Sequence, residues 1–83
     1  MRNYYLEPLL EQGQKSFYGK AKVFEHADGS AVLVSYGTKI MRRNPDGTYT
    51  RLWDSYSTTT GKHIKAFSGM NKKEFEELPL GQI

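Results

Sequence analysis

The chain has 83 residues, no cysteine and a formal net charge of +3. This length supports one domain with a thin core, and the lack of cysteine excludes a disulfide framework and a thiolate metal site. No apolar run approaches the roughly 20 residues that span a bilayer, and the N-terminus lacks a signal-peptide pattern. The sequence therefore predicts a cytoplasmic protein with no membrane partner.

The first 15 residues are interpreted as an N-terminal extension of a single domain that covers residues 1–83. Tyr4–Leu6 has the composition of an edge strand. Pro8 fits the first turn of a short helix that continues to Glu11 and stops at Gly13.

The first predicted hairpin pairs Phe17–His26 with Ala31–Tyr36. Asp28-Gly29 favours a two-residue type I′ turn, because both residues accept a positive φ. That turn places Val23 opposite Val34 and assigns their face to the core. Gly37 should then mark a bend, a bulge or a tight turn.

The second predicted hairpin pairs Thr38–Arg43 with Thr48–Trp53. Pro45 sets φ for a type I turn and Gly47 can take the left-handed position that closes a three-residue loop. Alternation then places six side chains on one face: Lys39, Met41, Arg43, Tyr49, Arg51 and Trp53. We assign Ile40 and Leu52, on the other face, to the core, and expect the basic-aromatic face to be at least partly exposed; the reverse assignment stays open.

A helix is predicted over Thr59–Ser68, with Ile64 and Phe67 packed on the sheet and Gly69 as its C-cap. Asn71-Lys72-Lys73-Glu74 resembles a capping box that starts a second, shorter helical piece. The expected fold class is α+β: a four-stranded antiparallel meander of two hairpins over residues 16–53, with a helical segment over 57–78 packed on one face. Residues 79–83 form a tail.

Catalytic and metal chemistry have little support in this sequence. His26 and His63 are the only imidazoles, and the carboxylates show no ligand spacing. The serines near His63 in sequence form no nucleophile motif. We predict a protein that is not an enzyme and that uses no metal or cofactor.

A nucleic acid or a nucleoprotein is the partner that the charge pattern favours. Residues 38–65 hold six basic and two acidic side chains, which is the whole positive surplus. Aromatic rings stack on bases while Arg and Lys neutralise phosphates, and the backbone N–H groups of a helix start can seat a phosphate. The candidate binding residues are Lys39, Arg43, Tyr49, Arg51, Trp53, Thr58 and Lys62.

Two alternatives use the same residues. Tyr, Trp and Arg also dominate protein interfaces, so the chain could be a small inhibitor or adaptor that contacts one host protein. In the other alternative Trp53 anchors the core, Thr58–Thr60 cap the helix and the arginines are solvated. An exposed strand edge would in addition allow a homodimer.

Three stretches of the sequence resemble a known group of proteins. They are Ser16-Phe17-Tyr18-Gly19-Lys20, Ser35-Tyr36 and Tyr56-Ser57-x-Thr59-Thr60-x-x-His63-Ile64. The chain resembles small uncharacterised proteins encoded in phages and mobile elements of Firmicutes and gut bacteria. The resemblance implies a mobile-element context, in which tiny proteins often inhibit host systems such as CRISPR defence. It assigns no role to any residue.

Overall fold

The computed structural model describes residues 2–6, 17 and 19–81. Within these residues, five strands run in chain order across one antiparallel sheet, and two helices follow them. The strands are β1 (Arg2–Tyr5), β2 (Ala21–Glu25), β3 (Ala31–Ser35), β4 (Thr38–Arg43) and β5 (Tyr49–Arg51), and the helices are α1 (Thr58–Ser68) and α2 (Lys72–Glu76).

The α+β class is confirmed, but the predicted number of four strands is wrong. All four residues of β1 pair with β2, so the N-terminal segment adds a fifth strand to the meander. The short helix predicted at residues 8–11 lies outside the described residues. Neither described helix is long and apolar enough to cross a membrane.

The first hairpin turns through a three-residue loop, so the predicted two-residue turn is wrong. The His26 N–H donates to the Ser30 carbonyl at 2.8 Å, and Gly29 holds the left-handed position with φ of 92°. The Asp28 carboxylate accepts the N–H of Ser30 at 2.9 Å and its hydroxyl at 2.6 Å. These side-chain bonds fix the longer loop, because they satisfy the backbone just past the turn.

The longer loop shifts the register of the first hairpin by one residue. Val23 lies opposite Leu33 rather than Val34. A one-residue slip exchanges the two faces of a strand, so the core side of β3 consists of Ala31, Leu33 and Ser35. The two-residue turn lies instead at Tyr36-Gly37, where both φ angles are positive, at 51° and 80°. Of the bend, bulge or tight turn expected at Gly37, the structure has the tight turn.

The second hairpin has the predicted register. Its loop closes with the Asn44 N–H donating to the Thr48 carbonyl at 2.7 Å and with Gly47 at φ of 90°. The pairing continues as predicted through Arg43–Tyr49, Arg42–Thr50 and Met41–Arg51.

A bulge between β3 and β4 overturns the predicted faces of this hairpin. Leu33 pairs with Met41 while Val34 pairs with Lys39, so Ile40 is an extra residue on β4. Ile40 and Met41 are both buried, because a bulge lets consecutive side chains point to the same side. Ile40 is in the core as predicted, but the face that carries Met41 is a core face too. Lys39 lies on the opposite side from Met41.

The helices cover this core face. Ser57 caps α1 by accepting the Thr60 N–H, and Gly69 ends it with φ of 78°. The predicted capping box of α2 is present, and Phe75 is the buried residue that α2 contributes. The core cluster joins Ile64, Phe67 and Phe75 to the sheet residues Val23, Leu33, Ile40 and Met41.

The segment after α2 returns to the sheet and covers the outer edge of β5. The Arg51 N–H donates to the Pro79 carbonyl at 2.8 Å, and the Gly81 N–H donates to the Arg51 carbonyl at 2.7 Å. A parallel bridge therefore forms between Arg51 and Leu80. Covering an edge in this way removes a template for pairing with another chain.

Replacing Gly47 with alanine should lower the free energy of unfolding by about 1–2 kcal/mol. No atom of the described residues lies within 4 Å of the position that a Cβ would take, so the loss comes from the left-handed backbone. Urea denaturation followed by Trp53 fluorescence measures it. Gly47→Asn is the matched control and should lose clearly less, because Asn tolerates this conformation. Equal losses for the two variants would contradict the explanation.

Candidate functional site

Three of the predicted binding residues lie on the helix-covered face. The Arg43 guanidinium lies 5.1 Å from the ring centroid of Phe67, and the Tyr49 ring meets the same ring edge-on at 6.2 Å. The Arg51 guanidinium lies 5.9 Å from the ring centroid of Phe75. All three are half-buried. These three residues of the expected basic-aromatic face are therefore only partly exposed, because α1 and α2 pack on that face, and binding by them stays a prediction.

Trp53 and Lys39 are separated from each other as well. Trp53 is half-buried and packs against the core cluster, whereas Lys39 is exposed on the opposite face of the sheet. The Nε atom of Arg51 is buried and has no hydrogen-bond acceptor among the described residues. The structure thus divides the predicted cluster and gives its arginines contacts with core rings.

The predicted helix start is present, and α1 begins at Thr58. Thr58 and Lys62 line a groove of about 410 Å³ together with Tyr56, Gly61, Lys65, Met70, Asn71 and Lys72. The Lys72 ammonium lies 5.7 Å from the Tyr56 ring centroid. Binding of an anion at Thr58 and Lys62 stays a prediction, and this groove is not on the same side of the sheet as Lys39.

The other face of the sheet, which we call the open face, is covered by neither described helix. The pairing register places nine residues on it: Asn3, Tyr5, Lys22, Phe24, Val32, Val34, Lys39, Arg42 and Thr50. Three of the nine are cationic, two are aromatic and none is acidic. One carboxylate approaches from the first hairpin loop, where Asp28 lies 3.6 Å from the half-buried Arg42. The open face therefore combines rings with positive charge.

Lys22 lies between two aromatic rings on the open face. The Lys22 ammonium lies 5.3 Å from the Tyr5 ring centroid and 5.2 Å from that of Phe24. The Tyr5 ring remains exposed beside this ammonium, whereas Phe24 is half-buried.

A depression of about 450 Å³ lies at one end of the open face. The rings of Tyr5 and Tyr36 line this depression, and both residues are more than half exposed, at 59% and 57%. Its other lining residues are Gly19, Lys20, Lys22, Phe24, Val34 and Gly37. No acidic side chain is among these residues, so the depression is both aromatic and basic.

The aspartates of the two hairpin loops lie at the opposite end of the sheet, where their carboxylates accept hydrogen bonds within the loops. Hydrogen bonds from the side chain and backbone of Ser30 hold the pKa of Asp28 below its usual value. Hydrogen bonds from Thr48 lower the pKa of Asp46 in the same way. Both carboxylates therefore stay ionised at neutral pH, at a distance from the depression.

His63 belongs to a buried polar cluster between α1 and β3. Its Nδ1 atom lies 2.7 Å from the Ser35 hydroxyl, which lies 3.1 Å from the Thr60 hydroxyl. Ser35 and His63 are each only 2% exposed, and burial lowers the pKa of His63. Because these groups are shielded from solvent, we interpret the cluster as a link that holds α1 on the sheet. Across residues 2–6, 17 and 19–81, no three side chains of the metal-ligating types gather.

Sequence reasoning missed Tyr5, Lys22, Phe24 and Tyr36 as candidate binding residues. The alternation of Lys20, Lys22 and Phe24 is visible in the sequence. The incorrect register, however, paired these residues with the wrong residues of β3, and the second hairpin was chosen as the binding face instead. The likeness of Asp28-Gly29-Ser30 to Asp46-Gly47-Thr48 is the signal that would have corrected it, because both loops use the same hydrogen bonds.

The fold and the open face define a small α+β domain whose five-stranded sheet has helices on one side. The chain belongs to a family of unknown function, DUF8033, whose model matches residues 4–79. Comparison with curated proteins and with solved structures found no match. The resemblance to uncharacterised proteins is thus confirmed at the level of the family, and the family assigns no activity or genetic context.

Proposed function

We propose that this protein is a non-enzymatic binding module that binds single-stranded nucleic acid across its open face. The observation that carries the proposal is the presence of two rings and three cations on one sheet face, each exposed or half-buried, without a carboxylate among the nine residues. Base–aromatic stacking tolerates any sequence, and Lys and Arg neutralise the phosphates.

The two cross-strand rows of the open face have their aromatic and cationic residues in the same order. One row runs from Tyr5 through Lys22 to Lys39, and the other runs from Phe24 to Arg42. In each row an aromatic ring lies toward β1 and β2, while a cation lies on β4. A single strand that runs parallel to the β-strands would place its bases over the rings and its phosphates within reach of Lys22 and of the cations on β4.

Single strands fit this surface better than duplexes do. The bases of a duplex are stacked inside the helix, so their faces cannot reach Tyr5 or Phe24. A duplex could contact the cations alone. We further propose that the protein binds nucleic acid in the cytoplasm, in the mobile-element context that the sequence resemblance implies.

Fluorescence anisotropy with a labelled single-stranded oligonucleotide tests the proposal. Binding should weaken with salt, and Lys22→Ala should weaken it further and reduce the slope of log K against log salt by about 0.7. Lys73→Ala is the matched control, because it removes the same charge from an exposed position on α2. It should leave the affinity and the slope nearly unchanged.

Equal effects of the two lysine variants would contradict the proposal, because net charge alone would then explain binding. Duplex binding as tight as single-strand binding would also contradict it. A stable, stoichiometric complex with one protein that survives nuclease treatment, without oligonucleotide binding, would favour the inhibitor or adaptor alternative.

A further inference from the structure

The geometry points to a nucleobase subsite in the depression at the end of the open face, where Tyr5 and Tyr36 clamp a single base between their rings. This inference rests on the proposed function and deepens it. It assigns a ligand group, one unstacked base with its flanking phosphates, to a defined pair of side chains.

The backbone of Tyr36 is the first observation. Its φ is 51°, and it is the one residue other than glycine with a positive φ in the described part of the chain. It occupies the first corner of a two-residue turn in which Asn-Gly is strongly preferred. A bulky side chain in this conformation is unfavourable, and conformations of this kind cluster at binding sites.

Burial does not compensate for this conformation, since the ring of Tyr36 is 57% exposed. Its ring contact is with His63, at 5.7 Å between centroids and a tilt of 33°. His63 is in turn fixed by the Ser35 hydroxyl at 2.7 Å. The Tyr36 N–H also donates to the Lys20 carbonyl at 2.9 Å, which anchors the turn. The ring is therefore held in place and yet left open to solvent.

The spacing of the two tyrosines is the second observation. Tyr5 lies on β1 and Tyr36 directly follows β3, with β2 between them. Neighbouring strands lie about 4.8 Å apart, so the two backbones are about 10 Å apart. A base stacked between two rings needs about 7 Å, which is twice the 3.4 Å stacking distance. With the backbones at this spacing and both rings lining a depression of about 450 Å³, there is room for one base.

The remaining lining residues suit the groups that flank a base. Lys20 and Lys22 supply ammonium groups for the adjoining phosphates, while Val34 and Phe24 add apolar surface. No amide or carboxylate side chain is among the lining residues that could read the edge of a base. The subsite should therefore accept any base and favour the larger purines through stacking.

Tyr36→Asn is the variant that separates a ligand-binding role from a structural one. Asn-Gly is the favoured pair for this turn, so the midpoint of urea denaturation should rise. The affinity for a single-stranded oligonucleotide should fall about 5- to 150-fold, the range for loss of one base–aromatic stack. Tyr36→Phe keeps the ring and should bind like the wild type, whereas Tyr5→Ala should lose affinity as Tyr36→Asn does.

An oligonucleotide with a single 2-aminopurine gives a direct signal, since stacking quenches the fluorescence of this base. Quenching by the wild type that is lost in Tyr36→Asn is the expected result. Unchanged affinity and quenching in Tyr36→Asn, with Lys22→Ala still impaired, would overturn the clamp and leave the proposed function standing. A wild type that binds no oligonucleotide would overturn both. A lower urea midpoint for Tyr36→Asn would contradict the strained-turn argument.

Discussion

Truncation of Phe75 to alanine should lower the free energy of unfolding by about 3–5 kcal/mol. Phe75 is fully buried and is the buried residue through which α2 packs on the core. Its ring lies 6.3 Å from the ring of Tyr56 and 5.9 Å from the Arg51 guanidinium. A helix of five residues is not stable in isolation, so the loss of this contact should release α2.

Urea denaturation followed by Trp53 fluorescence measures this loss. A domain of this size has a free energy of unfolding of about 4–12 kcal/mol, so the substitution should remove about a quarter of it or more. Glu76→Ala, exposed on the same helix, is the matched control and should change the value by no more than about 0.5 kcal/mol. Hydrogen exchange should accelerate in α2 and at residues 79–81 of Phe75→Ala. A loss below about 1 kcal/mol would show that α2 does not depend on this ring.

Replacement of His63 by leucine should cost about 1–3 kcal/mol at neutral pH and should also remove an acid-dependent loss of stability. In the wild type, burial lowers the pKa of His63 below that of the unfolded chain, so the unfolded state binds the proton more tightly. The stability contributed by neutral His63 is therefore fully present above about pH 6.5, the unfolded pKa. This contribution decreases as the pH falls from the unfolded pKa to the lowered folded pKa. Below the folded pKa it does not decrease further.

The groups around His63 explain why its charged form is disfavoured. Ser35 and Thr60 are neutral hydroxyls, and Phe17 presents its ring edge-on at 4.5 Å. The urea midpoint should be measured from pH 7.5 to 5 for the wild type, for His63→Leu and for His26→Gln. The His26 variant should keep the acid-dependent decrease. A decrease of the same size in His63→Leu would assign it to other groups.

The two hairpins show how far local sequence determines the register of a strand pair. Pro45 and Gly47 define the second loop, and its register follows correctly from them. Asp28-Gly29 fits both a two-residue and a three-residue loop, so backbone preference cannot decide between them. The decisive contact is the side-chain bond from Ser30 to Asp28, which belongs to the longer loop.

The face of the second hairpin could not be predicted by alternation. The extra residue at Ile40 belongs to the pairing of β4 with β3, and strand periodicity within Thr38–Arg43 does not reveal it. The buried polar cluster of Ser35, Thr60 and His63 could not be predicted for another reason. Ser35 and His63 are 28 positions apart in sequence, so no local pattern joins them. The helix caps were predictable because Gly69 and the Asn71–Glu74 box are local signals.

The order of the strands in the sheet has a kinetic consequence. Each of the four strand pairs joins segments adjacent in the chain, so the average sequence separation of contacts is small for a β-rich domain. Chains with such low contact order close short loops first and fold faster than β-sandwiches, whose pairings are distant. Among the backbone pairings of the sheet, the contact of Arg51 with residues 79–81 is the exception, because it must wait for both helices. The β5 edge is therefore the last part of the sheet to be protected as the newly made chain folds.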